Sequence, residues 1–201
     1  AIAPGVLAKL RDPIISVGNQ QLLFEAFSSC NSVYARVSLH NEVLDGEFIK
    51  SGCTNIDFND ATVRAFNAVT ASEQMILGVG QKQTHFITDK HKTVEKKVTL
   101  PNRWIKGLGN VQVYLAEMEL AYRLNKAEAI QLFRSLPKQA VKTDYYLVKR
   151  GISYTFAPSP SGDAIKIGGA HRLNLLQGLL LLCDSLFIYR NPSEQTVAFV
   201  L

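Results

Sequence analysis

The chain has 201 residues, of which 47% are hydrophobic and 19% charged, and it carries a formal net charge of +5. This composition is that of an ordinary globular protein and excludes a mainly disordered chain. The length suffices to bury a core without disulfides or metal, and the odd, scattered Cys30, Cys53 and Cys183 argue against a secreted disulfide framework. We therefore expect an ordered cytoplasmic protein.

The first half of the sequence alternates short β-rich runs with amphipathic segments. The patterns predict a helical turn at 4–11, strands at 14–17, 21–27, 32–40 and 47–58, and a helix that Asn59 or Asp60 caps and that runs to about Ala71. Three more strands follow, at 75–79, 84–88 and 94–100. These elements favour a sheet with a helix packed on it.

A helix with a break near Gly107 and Gly109 is expected after Pro101, because glycine weakens a helix. The second half then predicts strands at 119–124, 145–149, 153–156, 164–167, 186–189 and 196–201 and helices at 126–136 and 172–183. The apolar run 173–188 contains Asn174, Gln177 and Asp184 and is shorter than the roughly 20 residues of a bilayer span, so we expect no membrane contact.

Together these elements predict an α+β fold of mostly antiparallel sheets with helices packed on one face, divided into two subdomains. We place a larger α+β domain at 1–137, a polar linker at 138–143 and a smaller α+β subdomain at 144–201. Since the last residues have a strand pattern, we expect the smaller subdomain to continue beyond residue 201.

Several sequence blocks, in a fixed order, carry a resemblance to a known family. They include Leu10-Arg11-Asp12-Pro13, Phe24-Glu25-Ala26-Phe27-Ser28, Thr54-Asn55-Ile56-Asp57-Phe58-Asn59, the run from Glu95 to Gly107, and Phe133-Arg134-Ser135-Leu136-Pro137. In these blocks the chain resembles the region that precedes the finger in uncharacterised bacterial SWIM zinc-finger proteins. The defining C-x-C and C-x-H pairs are absent, so no zinc ligand carries over.

The sequence contains no recognisable cluster of acid, base, nucleophile or metal ligand. Together with the resemblance, this favours a non-enzymatic binding or scaffolding module that contacts a protein or nucleic-acid partner. No cofactor is expected in the chain, and zinc only if a SWIM finger follows residue 201. The cysteines and His40, His85, His91 and His171 show none of the spacings of a zinc site. As an alternative, an enzyme or nucleotide-dependent factor could use Cys30, or Gly168, Gly169 and His171 between a strand and a helix.

A basic hairpin is the main candidate for partner contact. The window 82–106 holds seven basic residues against Asp89 and Glu95, a surplus equal to the net charge of the whole chain. The proposed contact residues are Lys90, Lys92, Lys96, Lys97, Arg103 and Lys106. Strand alternation predicts an exposed Lys97 partly neutralised by Glu95, with Lys96 on the more apolar face. A solvated face that only aids solubility is the alternative interpretation.

Overall fold

The computed structural model describes residues 13–18, 20–28, 30–46, 50–193 and 195–201. In this part of the chain, thirteen strands form four antiparallel sheets, accompanied by three α-helices and short 3₁₀ segments. The predicted α+β class with antiparallel sheets is confirmed. The helical turn predicted at 4–11 lies outside the described residues. The chain divides into two compact units, here called the N-terminal unit, Ala1–Val111, and the C-terminal unit, Gln112–Leu201.

The N-terminal unit contains two sheets. The first has the order β3-β2-β1-β4 and the second the order β5-β6-β7. Their strands are β1 (Ile14–Gly18), β2 (Gln21–Phe27), β3 (Tyr34–His40), β4 (Gly52–Asn55), β5 (Met75–Val79), β6 (Gln83–Thr88) and β7 (Lys92–Lys96).

Backbone pairing joins these two sheets at the residues that follow β4 and β7. Ile56 forms an antiparallel bridge with Lys97, and the Val98 amide donates to the Asn55 carbonyl at 2.8 Å. The Lys97 amide donates in turn to the Lys82 carbonyl at 2.9 Å, next to β6. Strand pairing therefore continues from β4 through residues 97–98 to β6.

Helix α1 (Asp60–Ala68) lies on one face of this joined sheet. Its Phe66 packs against a core cluster that includes the buried Ile15, Ile56 and Phe86. The Asn59 side chain accepts a hydrogen bond from the Thr62 amide and so caps the first turn. This cap agrees with the sequence prediction, while the helix ends at Ala68, before the predicted Ala71.

Helix α2 (Asn102–Ala116) is continuous, so the break predicted near Gly107 and Gly109 is wrong. Trp104 packs on Ile14 and Phe27 of the first sheet, with the Trp104 and Phe27 ring centroids 5.7 Å apart. Gly107 is buried, and a Cβ there would lie 3.0 Å from the Phe27 ring. Gly107 thus allows close helix-to-sheet approach rather than a break.

The C-terminal unit also contains two sheets, of order β13-β12-β8 and β10-β9-β11, with helix α3 (Lys126–Phe133). Its strands are β8 (Glu119–Asn125), β9 (Tyr145–Arg150), β10 (Ser153–Ala157), β11 (Ile165–Ile167), β12 (Ser185–Asn191) and β13 (Thr196–Val200). Leu132 and Phe133 of α3 are buried in a core with Leu147, Leu186 and Ile188. Asn125 and Glu128 form a capping box at the start of α3.

The helix predicted at 172–183 is replaced by two 3₁₀ segments, Ala170–Leu176 and Leu179–Leu181. Leucines occur on all sides of this run, and no single apolar stripe fixes an α-helix against the core. Leu180 is 2% exposed, whereas Leu175 is 85% exposed. The Asn174 side-chain amide also donates to the carbonyls of Pro137 and His171, both at 2.8 Å, which holds the tighter turns.

The predicted linker at 138–143 falls inside the C-terminal unit and contains no helix or strand. A separate subdomain at 144–201 stays a prediction. Within the described ranges, no helix combines the length and apolarity that crossing a bilayer would require.

Candidate nucleic-acid interface

The β6–β7 hairpin holds the first of the predicted contact residues, Lys90, at its turn. The Thr88 hydroxyl accepts hydrogen bonds from the amides of Lys90 and His91, which fixes the turn. The Lys90 Nζ lies 3.1 Å from Glu73 Oε1. The Thr70 backbone amide and, next, Lys90 lower the pKa of Glu73, so this carboxylate stays charged and engages Lys90.

Strand β7 presents Lys92, Val94 and Lys96 on its exposed face. Across the strand pair, these residues lie opposite Ile87, His85 and Gln83 of β6. As strand alternation predicts, Lys96 shares a face with Val94, but this face is the exposed one and not a buried apolar face. The side chains that point inward are Thr93 and Glu95.

Glu95 is 4% exposed and belongs to the helix cap rather than to the basic surface. Its Oε1 accepts from the Asn59 amide at 2.9 Å, and its Oε2 accepts from the Asn59 side-chain amide at 3.1 Å. Glu95 therefore does not neutralise Lys97 as the sequence suggested. The exposed surface of the window is more basic than a count of its charges indicates.

Helix α2 carries the next two predicted contact residues. Arg103 and Lys106 are exposed and lie three residues apart, which places them on neighbouring positions of one helix face. Residues 102–116 contain no acidic side chain. Trp104 and Gly107 form the buried side, so the packing of α2 directs the two cations outward.

The strand registers relate α2 to the exposed face of β7. Ile14, which packs in one core cluster with Trp104 of α2, lies opposite Asn55 in the β1–β4 pair. Since Ile56 bridges Lys97, Asn55 lies opposite Val98. Side chains two residues apart on a strand share a face, so Lys96 lies on the same face as Val98 and Asn55. Lys92, Lys96 and α2 thus belong to the same side of the joined sheet.

None of Lys92, Lys96, Arg103 and Lys106 forms an ion pair within the described part of the chain. The structure therefore gathers these four cations on one side of the N-terminal unit, while Lys90 is engaged by Glu73.

Lys97 lines a separate open groove of about 610 Å³ in the same unit. The groove is also lined by Lys82, which sequence reasoning placed in the basic window but not among the contact residues. The sequence could have suggested that Lys82 lies near Lys97, because each of the two lysines is the residue next to the end of the β6–β7 hairpin. The remaining lining residues are Cys53, Asn55, Gln81, Val98, Thr99 and Leu100.

The other predicted sites do not assemble. Cys30 and Cys53 are exposed, Cys183 is partly buried, and among the described residues no three His, Cys, Asp or Glu side chains could together hold a metal ion. Gly169 has a φ of +65° and precedes a 3₁₀ segment, so the strand-to-helix phosphate site that we considered at Gly168, Gly169 and His171 lacks its α-helix.

Comparison with solved structures gives the fold class. The chain is similar to the DNA polymerase sliding clamp of Bacillus subtilis, with a TM-score of 0.58 and 14% identity over 100% of this chain. It is also similar to the DnaN sliding clamp, DNA polymerase III subunit beta, of Bartonella birtlesii bound to griselimycin (TM-score 0.57, 12% identity, 96% of this chain). The sliding clamp of Caulobacter crescentus gives a TM-score of 0.57 at 10% identity over 99% of this chain.

The fold is thus that of bacterial DNA sliding clamps, and the chain spans 54–57% of the length of these three clamps. No protein-family model matches the sequence. No curated protein matches it either.

This likeness overturns the SWIM interpretation. The proteins that share the fold are sliding clamps rather than SWIM zinc-finger proteins, so the predicted SWIM-like scaffold is wrong and the conditional zinc site loses its basis. The quoted blocks have local structural roles that many folds require: Asn59 caps α1, and Trp104 anchors α2. The likeness to clamps gives no support to the alternative enzyme at Cys30 or Gly168–Gly169.

Proposed function

We propose that this chain works as a DNA sliding clamp module whose N-terminal unit contacts DNA phosphates through Lys92, Lys96, Arg103 and Lys106. The observation that carries the proposal is the likeness to sliding clamps over nearly the whole chain. DNA and polymerase subunits are accordingly the partners that we propose.

The charge distribution supports this assignment. The exposed face of β7 carries Lys92 and Lys96 and no carboxylate, because Glu95 is turned inward to Asn59. Helix α2 carries Arg103 and Lys106 and contains no acidic residue. Contacts of lysine and arginine with phosphates are independent of base sequence. A protein that moves along DNA needs contacts of this kind, because each base pair must be held equally well.

The first prediction concerns the salt dependence of DNA binding. We would titrate labelled duplex DNA with the chain at two salt concentrations, beside a variant with Lys92→Gln, Lys96→Gln and Arg103→Gln. Each phosphate contact contributes about −0.9 to the slope of log affinity against log salt, so the variant should bind more weakly with a slope flatter by about 2.7.

A matched control removes two lysines and one arginine from the C-terminal unit: Lys138→Gln, Lys142→Gln and Arg150→Gln, all at exposed positions. This control has the same net charge as the test variant and should bind with nearly the wild-type slope. Equal slopes for the two variants would reject the assigned surface, and an absence of salt-dependent binding by the wild-type chain would reject DNA as a partner.

A further inference from the structure

The exposed face of the β5–β6–β7 sheet contains a notch at Gly78. Gly78 of β5 lies opposite His85 of β6, and His85 lies opposite Val94 of β7. Residues that lie opposite each other in neighbouring strands point to the same face, so these three form one row across the exposed face. Because Gly78 has no side chain, the row is open beside the His85 side chain.

The backbone does not require glycine at this position. The φ of Gly78 lies outside the left-handed region, and an added Cβ would meet only the His85 Cβ, at 3.7 Å, which is an ordinary contact. Glycine inside a strand weakens the strand and often marks a place where a ligand approaches the backbone closely. The space above Gly78 is therefore a candidate binding position.

The neighbouring rows give the notch its walls. Ile76 lies opposite Ile87 in the row on one side, and the side chain of Ile76 is 60% exposed. On the other side, the Gln83 side-chain amide donates to His85 Nε2 at 2.9 Å and so holds the imidazole ring. A flat ring that entered the notch would meet the held His85 ring and apolar surface.

Cations stand on both sides of this notch. Lys92 lies in the row of Ile87 and Lys96 in the row of Gln83, so the two lysines are about 13 Å apart along β7. Neither lysine forms an ion pair within the described ranges, and the three rows contain no carboxylate. The matching ligand has a flat ring between anionic groups, which describes an unpaired nucleotide. A base paired inside a duplex could not enter the notch.

We propose that this face binds single-stranded DNA, with one base stacked on His85 above Gly78 and the adjacent phosphates on Lys92 and Lys96. Proteins hold single strands without sequence preference in this way, by stacking bases on aromatic side chains and tracking the backbone with cations. The inference rests on the phosphate contacts proposed above for the two lysines, and it adds a position for an unpaired base.

The experiment compares three labelled probes of equal length on the full chain: a dT strand, the same strand without bases, and duplex DNA. Fluorescence anisotropy at one salt concentration gives each affinity. The test variants are Gly78→Val, which fills the notch, and His85→Ala, which removes the stacking ring. Gly52→Val is the matched control, because Gly52 is also an exposed strand glycine with nothing within 4 Å of an added Cβ.

The wild type should bind the dT strand more tightly than the strand without bases. Gly78→Val and His85→Ala should each bind the dT strand about 5-fold or more weakly than the wild type does, as expected for the loss of one stacked base. Both variants should bind the strand without bases and the duplex like the wild type. Gly52→Val should bind all three probes like the wild type.

Equal affinities of Gly78→Val and Gly52→Val for the dT strand would overturn the proposal, as would equal wild-type affinities for the strands with and without bases. Binding of a polyglutamate peptide as tightly as the dT strand would also overturn it and would assign the face to an acidic protein. A wild-type chain that binds duplex DNA but fails these comparisons keeps the proposed function and loses the notch. A chain that binds none of the DNA probes loses both.

Discussion

At the residue scale, the charge of the β7 surface depends on the direction in which one carboxylate points. Glu95 lies in the strand that supplies Lys92 and Lys96, yet both of its oxygens accept hydrogen bonds from Asn59, the N-cap of α1. The same residue therefore ties β7 to α1 and leaves the opposite face of the strand without a negative charge.

We expect the substitution Glu95→Ala to lower the free energy of unfolding by about 1–3 kcal/mol, because it removes the buried carboxylate that accepts two partly buried hydrogen bonds from Asn59. Glu95→Gln keeps one acceptor oxygen and should fall between the wild type and Glu95→Ala. Urea unfolding followed by circular dichroism measures both.

Asp57→Ala provides the control, since Asp57 is an exposed acid close to the same cap and its loss changes the net charge equally. A surface substitution of this kind typically changes stability by less than about 0.5 kcal/mol. If Glu95→Ala were no more destabilising than Asp57→Ala, the structural role of Glu95 would be wrong.

At the scale of elements, helix α2 is positioned by close contact at one glycine and not at the other. Phe27 lies between Tyr34 and Trp104, with ring centroids 5.2 and 5.7 Å away, so its ring has little room to move from Gly107. At Gly109 an added Cβ would meet nothing within 4 Å. The two glycines of one helix should therefore respond differently to the same change.

Gly107→Ala should destabilise the protein by about 1–3 kcal/mol through overpacking against Phe27. Gly109→Ala should stabilise it by about 0.5–1 kcal/mol, because alanine loses less conformational entropy in a helix. Thermal and urea unfolding of the two variants would be compared directly. Stabilisation by both would show that α2 does not pack closely on β2.

Short-range patterns predicted the bounds of several strands well, whereas the strands predicted at 47–58 and 94–100 lie at Gly52–Asn55 and Lys92–Lys96, and the helix details were predicted less well. The bounds of β2 and β5 match the prediction, because strand alternation and flanking turns are local signals. The break in α2 was wrong because the need for Gly107 comes from Phe27, far away in the sequence. The 3₁₀ segments near Asn174 likewise depend on its bond to the distant Pro137 carbonyl.

At the scale of the whole molecule, the sequence predicted the fold class but not the clamp likeness. The sequence identity with the three clamps is only 10–14%, so short motifs do not reveal the shared architecture. The architecture depends on pairings between distant segments, such as Ile56 with Lys97. The basic window was recognised from its charge. Its division into the surface that we propose for DNA, a Glu73-bound Lys90 and a groove required the strand registers.

Lysine footprinting of the chain on duplex DNA, with acetylation rates measured by mass spectrometry with and without DNA, tests the proposed DNA surface most directly. The proposed surface predicts that DNA slows acetylation of Lys92, Lys96 and Lys106 and leaves the exposed Lys138 and Lys142 of the C-terminal unit unchanged. Equal protection of both sets of lysines, or stronger protection of Lys138 and Lys142, would contradict the assignment of DNA contact to the N-terminal unit.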